Sequence, residues 1–415
     1  MFFISSPKRL GLFLLAVQSL LYAQPERIVV ASVAELQACV DRPAGAPLIC
    51  ALRSAASPYA ISGASLTIRR NDTTIEGAVE AGQDPPTLRR TDPALKKMIL
   101  VHKFASNVTI RNLQIDGNRT IALDKGFQDL SVEGSNVTVE SNYFGESTYY
   151  ALFFGGPHFS LHHNTFGKLI KAGLSGAAPG INCAIKAWGG NAAQFSIESN
   201  TVIGYQGGPM SLTGVPGGTD SALASVVRNN TLYHNEFCVP DCGGGQIYLA
   251  GTSNVKVTDN TIDGGWAESN NREIVHSYGI EIDDKASYIY IGSNKIFNNS
   301  ISGIWIGNGS HDITIENNTV YNNGLNGVQI AGNGRLAPVS AVSILGLNAH
   351  DNDQHRSPRA PYPTLPRFWG VMIQNGGASK DVCIQSGSNL ATNAKGAVYS
   401  EGSYSRSESC PRPYN

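Results

Sequence analysis

Seven times along this chain a short alternating run leads into Asn, then one further residue, then an apolar residue. In order the copies read VTVESNYF, FSLHHNTF, FSIESNTV, SVVRNNTL, VKVTDNTI, IYIGSNKI and ITIENNTV. The Asn residues are Asn142, Asn164, Asn200, Asn230, Asn260, Asn294 and Asn318, spaced by 22, 36, 30, 30, 34 and 24. Two positions later stand Phe144, Phe166, Val202, Leu232, Ile262, Ile296 and Val320. NVTIRNLQI before this series, and VSILGLNAH and DVCIQSGSN after it, are degraded copies. Few folds satisfy such a repeat. Period-two alternation means strands, and a unit this short cannot bury its own apolar side chains, so neighbouring units must stack. A propeller blade needs about 40 residues, and a sandwich offers no reason for the same Asn in every unit. In a stack the Asn column has one: side-chain amides hydrogen-bond up and down a turn, and Asn tolerates left-handed backbone at a sharp corner.

A second pattern follows each copy. It reads GIEI at Gly279, GIWI at Gly303, GVQI at Gly327 and GVMI at Gly370, with weaker versions near Tyr248, Ser211 and Lys186. Each repeat therefore holds two or three short strands, and inserts of variable length fall between the Asn strand and the Gly-Ile strand. Composition agrees. Gly is abundant at 45 and charged residues are only 15%, a turn-rich balance rather than a helical one. A formal charge of −1 excludes a basic nucleic-acid surface and an acidic disordered chain.

The Asn-x-apolar ladder and the Gly-Ile-x-Ile strands resemble the right-handed parallel β-helix proteins, the pectate-lyase-like superfamily. The resemblance runs from about Asn71 to Tyr404 and implies an all-β solenoid, here of about nine to eleven coils. It implies little about activity, since that superfamily includes polysaccharide lyases, glycoside hydrolases, sugar epimerases, phage tailspikes and adhesins. The polygalacturonase NTD and GHG motifs and the epimerase DPHD motif are absent from this sequence.

The expected organisation is residues 1–23 as a signal peptide, 24–70 as an N-terminal cap with the first strands, 71–404 as the β-helix and 405–415 as a C-terminal tail. Lys8 and Arg9 precede the short apolar run LGLFLLAVQSLLYA, a secretory pattern too short for a comfortable membrane span. The expectation is therefore a secreted protein, extracellular or periplasmic, free of the membrane once the signal is removed. VASVAELQACV can form the amphipathic helix of a cap. Seven Cys in an exported chain suggest disulfides, and proximity suggests Cys39–Cys50, Cys238–Cys242 and Cys383–Cys410. That leaves Cys183 as a buried thiol.

In Gly-Ile-x-Ile the two apolar residues point inward and x points out. The outward column should read Phe153, Lys186, Ser211, Tyr248, Glu281, Trp305, Gln329 and Met372. The next should read Trp188, Thr213, Ala250, Asp283, Gly307, Ala331 and Gln374. Aromatic rings beside carboxylates, an amide and a lysine suit a saccharide. By contrast, the outward column of the Asn strand (Glu140, His162, Glu198, Arg228, Thr258, Gly292 and Glu316) alternates in charge without aromatics and reads as a solvated face.

Glu281 and Asp283, two apart on one strand, are the candidate catalytic pair, with His276 as a candidate base from the insert DGGWAESNNREIVHSY. Candidate substrate-binding residues are Lys186, Trp188, Tyr248, Trp266, Trp305 and Gln329. The competing reading of the pair is an exposed acidic turn, with or without Ca²⁺; no metal site or other cofactor is expected. Three functions stay open: a secreted carbohydrate-active enzyme cleaving a glycosidic bond with the carboxylate pair; a polysaccharide lyase or uronate epimerase using Lys186, His276 or Tyr248; and a non-enzymatic glycan-binding or structural solenoid. The expected partner is a poly- or oligosaccharide, not nucleic acid. Oligomeric state is not legible.

Overall fold

A computed structural model describes residues 24–121, 126–147, 149–167, 183–205, 208–233, 235, 244–264, 278–331, 338–352, 369–374 and 380–414. The expected signal peptide, the Cys238–Cys242 pair, His276 and Trp266 lie outside the described residues.

Among the described residues the strands form three sheets of 14, 12 and 11 members, and within each sheet the chain order is kept from one edge to the other. Every strand pairs in parallel with the equivalent strand one coil on, as Ser253–Thr258 does with Ser287–Gly292 and that in turn with His311–Glu316. The 14-stranded sheet holds the runs that precede the repeated Asn and is called here the ladder sheet. The 11-stranded sheet follows the Asn, and the 12-stranded sheet holds the Gly-Ile-x-Ile strands and is called the groove sheet. Period-two alternation sends every second side chain inward, where Ile280, Ile282, Ile304, Ile306, Val328 and Ile330 are fully buried. Each such side chain contributes about 1.5–3 kcal/mol.

The seven Asn residues form one continuous column. Each Nδ2 donates to the Oδ1 of the next, at 3.1, 3.0, 3.0, 3.0, 2.9 and 2.9 Å from Asn142 to Asn318. The same Oδ1 accepts the backbone N–H of the preceding Asn, and the spare amide hydrogen caps a carbonyl such as that of Ile197. The apolar residues two positions on are all fully buried. One detail differs from expectation. The left-handed corner is taken by the residue before the Asn: Ser141, His163, Ser199, Asn229, Asp259, Ser293 and Asn317 have φ between 55° and 58°. The ladder Asn must aim its amide along the stack, so its outward-facing neighbour absorbs the kink.

A second ladder, not foreseen from sequence, lines the corner between the 11-stranded and groove sheets. Asn299, Asn323, Asn352 and Asn393 are linked amide to amide at 2.9, 3.0 and 2.8 Å. It explains the Gly of the second motif. A Cβ on Gly279, Gly303, Gly327 or Gly370 would come within 2.3, 2.2, 2.6 or 2.8 Å of the next coil and crowd the Nδ2 of Asn299, Asn323, Asn352 or Asn393.

The N-terminal cap contains α1 (Val33–Val40), capped by Ser32 and burying Leu36, Cys39 and Val40. Cys39 is bonded to Cys50, Cys383 to Cys410, and Cys183 is a buried free thiol. Arg90 and Asp129 form an ion pair at 3.0 Å with both side chains fully buried. The last residues are more than a tail. Ser405–Ser407 adds a strand to the ladder sheet beside Lys380–Gln385. Tyr414 then lies buried over that sheet, its hydroxyl bonded to Asn254 and its carbonyl accepting from Thr314 at 2.7 Å.

Candidate active site

The groove sheet puts the outward column where period two requires. Successive Cα partners are Phe153, Lys186, Ser211, Tyr248, Glu281, Trp305, Gln329 and Met372. Asp283 lies opposite Ala250, and Trp188 opposite Thr213. The charge-alternating column also falls in register, and there it is a set of ion pairs such as Arg228–Glu198 at 2.5 Å.

Register does not decide exposure. Gln329 is 2% exposed and Met372 fully buried, and Gln329 accepts a hydrogen bond from Ser302 at 2.8 Å. Lys186 is also buried, its ammonium donating to Ser211 at 2.7 Å and Thr213 at 2.9 Å. Trp188 is 60% exposed. Trp305 and Tyr248 are half-buried, and Trp305 stacks on Tyr278 with centroids 5.6 Å apart. The open, evenly mixed groove read from sequence is therefore a narrower feature centred on one strand, Tyr278–Asp283.

Glu281 is 8% exposed, and its Oε2 has no hydrogen-bond partner among the described residues. Burial, and then the charge of Asp283, push its carboxyl up to about 8, against a smaller downward pull from the backbone of Gly245. A glycine makes room for it: a Cβ on Gly245 would stand 2.8 Å from the Glu281 nitrogen and 3.1 Å from its Cβ. Gly244 beside it takes a φ of 131°, a backbone conformation that favours glycine. Asp283 is also raised by burial, but its Oδ1 accepts from Asn308 at 2.6 Å and from the Asp284 amide at 2.8 Å, both of which oppose the rise. The bend that follows places Asp284 and Lys285 at φ 49° and 65°. Two carboxyls on one strand face thus have divergent environments, one buried with an oxygen unpartnered among the described residues, one half-buried and solvated by donors. That arrangement separates a proton donor from an ionised partner. Tyr248, one coil back, is raised by burial and then by Glu281, so its phenol stays protonated.

Sequence reasoning missed Gly244, Gly245, Asn308 and Tyr278. The GGG run at 243–245 is the one local signal that could have pointed to a cradle. No group of three or more His, Cys, Asp or Glu suited to a metal occurs among the described residues.

A family profile described as a right handed beta helix region matches residues 180–352. No curated protein sequence matches the chain. Among solved structures it is similar to the Dettilon tailspike protein, at 14% identity and TM-score 0.54, covering 89% of this chain and 64% of that one. It is also similar to a mannuronan C-5 epimerase A-module of Azotobacter vinelandii, at 15% identity and TM-score 0.49, covering 90% and 95%. A third is endopolygalacturonase I from Stereum purpureum, at 13% identity and TM-score 0.46, covering 92% and 99%. With its three parallel sheets and stacked Asn corners, the chain folds as a right-handed parallel β-helix.

Proposed function

We propose that the protein is an exported carbohydrate-active enzyme that cleaves a glycosidic bond with Glu281 and Asp283. The observation that carries this is the buried Oε2 of Glu281, unpartnered among the described residues, beside a better-solvated carboxylate. At neutral pH Glu281 holds its proton and can give it to the leaving oxygen as the bond breaks. Asp283, roughly 6.6 Å away between Cα atoms, stays ionised and either activates a water or attacks the anomeric carbon. The separation of the two oxygens in the substrate complex selects between inversion and retention. The half-buried ring of Trp305 and the hydroxyl of Tyr248, on the coils either side of Glu281, offer a stacking face and a donor to the sugar. An exported location is supported by the two disulfides, which persist in oxidising compartments.

The test is cleavage of a polysaccharide panel, reading new reducing ends and ultraviolet-absorbing unsaturated ends separately. Glu281→Gln and Asp283→Asn should each lower hydrolysis by about 10²–10⁴-fold with the fold intact. Hydrolysis should also fall as the pH rises through about 8, where Glu281 loses its proton. Near-parent rates in both amide variants, or unsaturated products, would refute the assignment.

A further inference from the structure

Two and three coils before Glu281 the same face of the groove sheet holds a second set of reactive groups that glycosidic cleavage does not use. Lys186 Nζ lies 2.7 Å from Ser211 Oγ and 2.9 Å from Thr213 Oγ1, and the two hydroxyls are 3.3 Å apart. The amine is buried, and no ion pair to it occurs among the described residues. Its partners are neutral hydroxyls, and the indole of Trp188 stands 5.1 Å from the nitrogen. Trp188 is among the largest exposed apolar side chains of the protein, at 60%. A hydroxyl in hydrogen-bond reach of a desolvated amine, at the foot of an exposed ring, has the components of nucleophilic acyl transfer.

We propose that Ser211, Lys186 and Thr213 form a separate ester-cleaving site that removes acyl groups from hydroxyls of a bound saccharide. Ser211 Oγ attacks the ester carbonyl carbon while the neutral Lys186 amine takes its proton. The negative charge that develops on the carbonyl oxygen is met by the Thr213 hydroxyl. Collapse of the tetrahedral adduct breaks the bond to the sugar oxygen, which takes the proton back from Lys186 and leaves as an alcohol. Water then attacks the acyl-serine, Lys186 again carrying the proton, and a carboxylic acid leaves with Ser211 restored. Burial lowers the Lys186 amine from its ordinary value, which favours the neutral base; the nearby Cys183 thiol, raised by burial to about 11, stays protonated and uncharged. Only the saccharide identity of the acyl carrier rests on the proposed function above. The ester chemistry stands on the geometry of the dyad.

The experiment uses the full folded chain with p-nitrophenyl acetate and, separately, a serine-directed fluorophosphonate followed by peptide mass mapping. The parent should turn over the ester and carry the label on Ser211. Ser211→Ala should remove the labelling and lower turnover by about 10²–10⁴-fold. Lys186→Arg, which keeps a long hydrogen-bond donor but stays charged and so cannot take the serine proton, should lower turnover in the same range. The proposal is overturned if folded parent protein takes no label at Ser211, or if either variant keeps near-parent turnover. Because the parent's own labelling is read, a variant that fails to fold does not remove the test. Because the readout is acyl release, failure here is distinct from failure of glycan cleavage.

Discussion

Replacing Glu281 with Gln should make the protein more stable in alkaline solution, by an amount the burial of the carboxyl sets. In the unfolded chain this carboxyl ionises at its ordinary value of 4.5; in the native state it holds its proton to about 8. Between those values the unfolded state has released a proton that the folded state retains, so native stability falls as the pH rises. The contribution is fully present below about 4.5 and gone above about 8. At about 1.36 kcal/mol per unit, that interval integrates to about 5 kcal/mol. Gln has the same shape and no such titration. Its amide leaves a buried donor in place of Oε2, a cost of about 1–3 kcal/mol that does not vary with pH. The parent should therefore match or exceed the variant at pH 4.5, and the variant should exceed the parent by about 2–4 kcal/mol at pH 9. Paired equilibrium urea titrations at the two pH values measure the difference of differences, in which titrating groups not coupled to Glu281 cancel. A parent and variant with parallel pH dependence, within about 1 kcal/mol, would refute the idea that Glu281 is desolvated.

Further outcomes follow from other parts of the molecule. Asn230→Leu removes the acceptor for the Asn200 amide and the donors to Ile197 and Asn260. It should cost at least about 1–3 kcal/mol, read as a lower urea midpoint with activity per folded molecule retained. Arg90→Met deprives the buried Asp129 of its guanidinium and should cost about 3–5 kcal/mol; the double variant Arg90→Met with Asp129→Leu should recover much of it. If the proposed saccharide groove is correct, Trp305→Ala should raise KM with a smaller change in kcat, because stacking holds ground and transition states alike. A pure kcat effect would place Trp305 elsewhere in the reaction.

The fold was legible because its determinants are local and repeated. Each ladder Asn announces its own corner, and period two fixes which neighbours face out, so the Glu281 column followed without any knowledge of the inserts. The second ladder was equally local, five residues after the first in FNN at 297–299 and YNN at 321–323. It went unread because Asn is also an ordinary turn residue. Burial was not legible. Gln329 and Lys186 occupy outward positions yet are covered, and nothing in a strand's own alternation reports what packs over it. The same holds for the cradle at Gly244 and Gly245. These glycines matter because Glu281 lies on the adjacent strand one coil away, 36 and 37 positions along the chain, rather than through any local pattern.

A stack in which each layer touches only the next tends to fray from its ends, since peeling the last layer breaks one interface and leaves the remainder intact. The C-terminal residues of this chain alter that arithmetic. After the Cys383–Cys410 link the backbone turns back along the ladder sheet, and Tyr414 reaches Asn254, 160 positions earlier, and Thr314, 100 positions earlier. The terminal layer is thereby fastened to the middle of the stack. Its release requires the surface around Asn254 and Thr314 to let go as well, so the C-terminal half should open as one block rather than unzip layer by layer. During synthesis the same contact can close only after Tyr414 has emerged, 100 positions behind Thr314 and 160 behind Asn254.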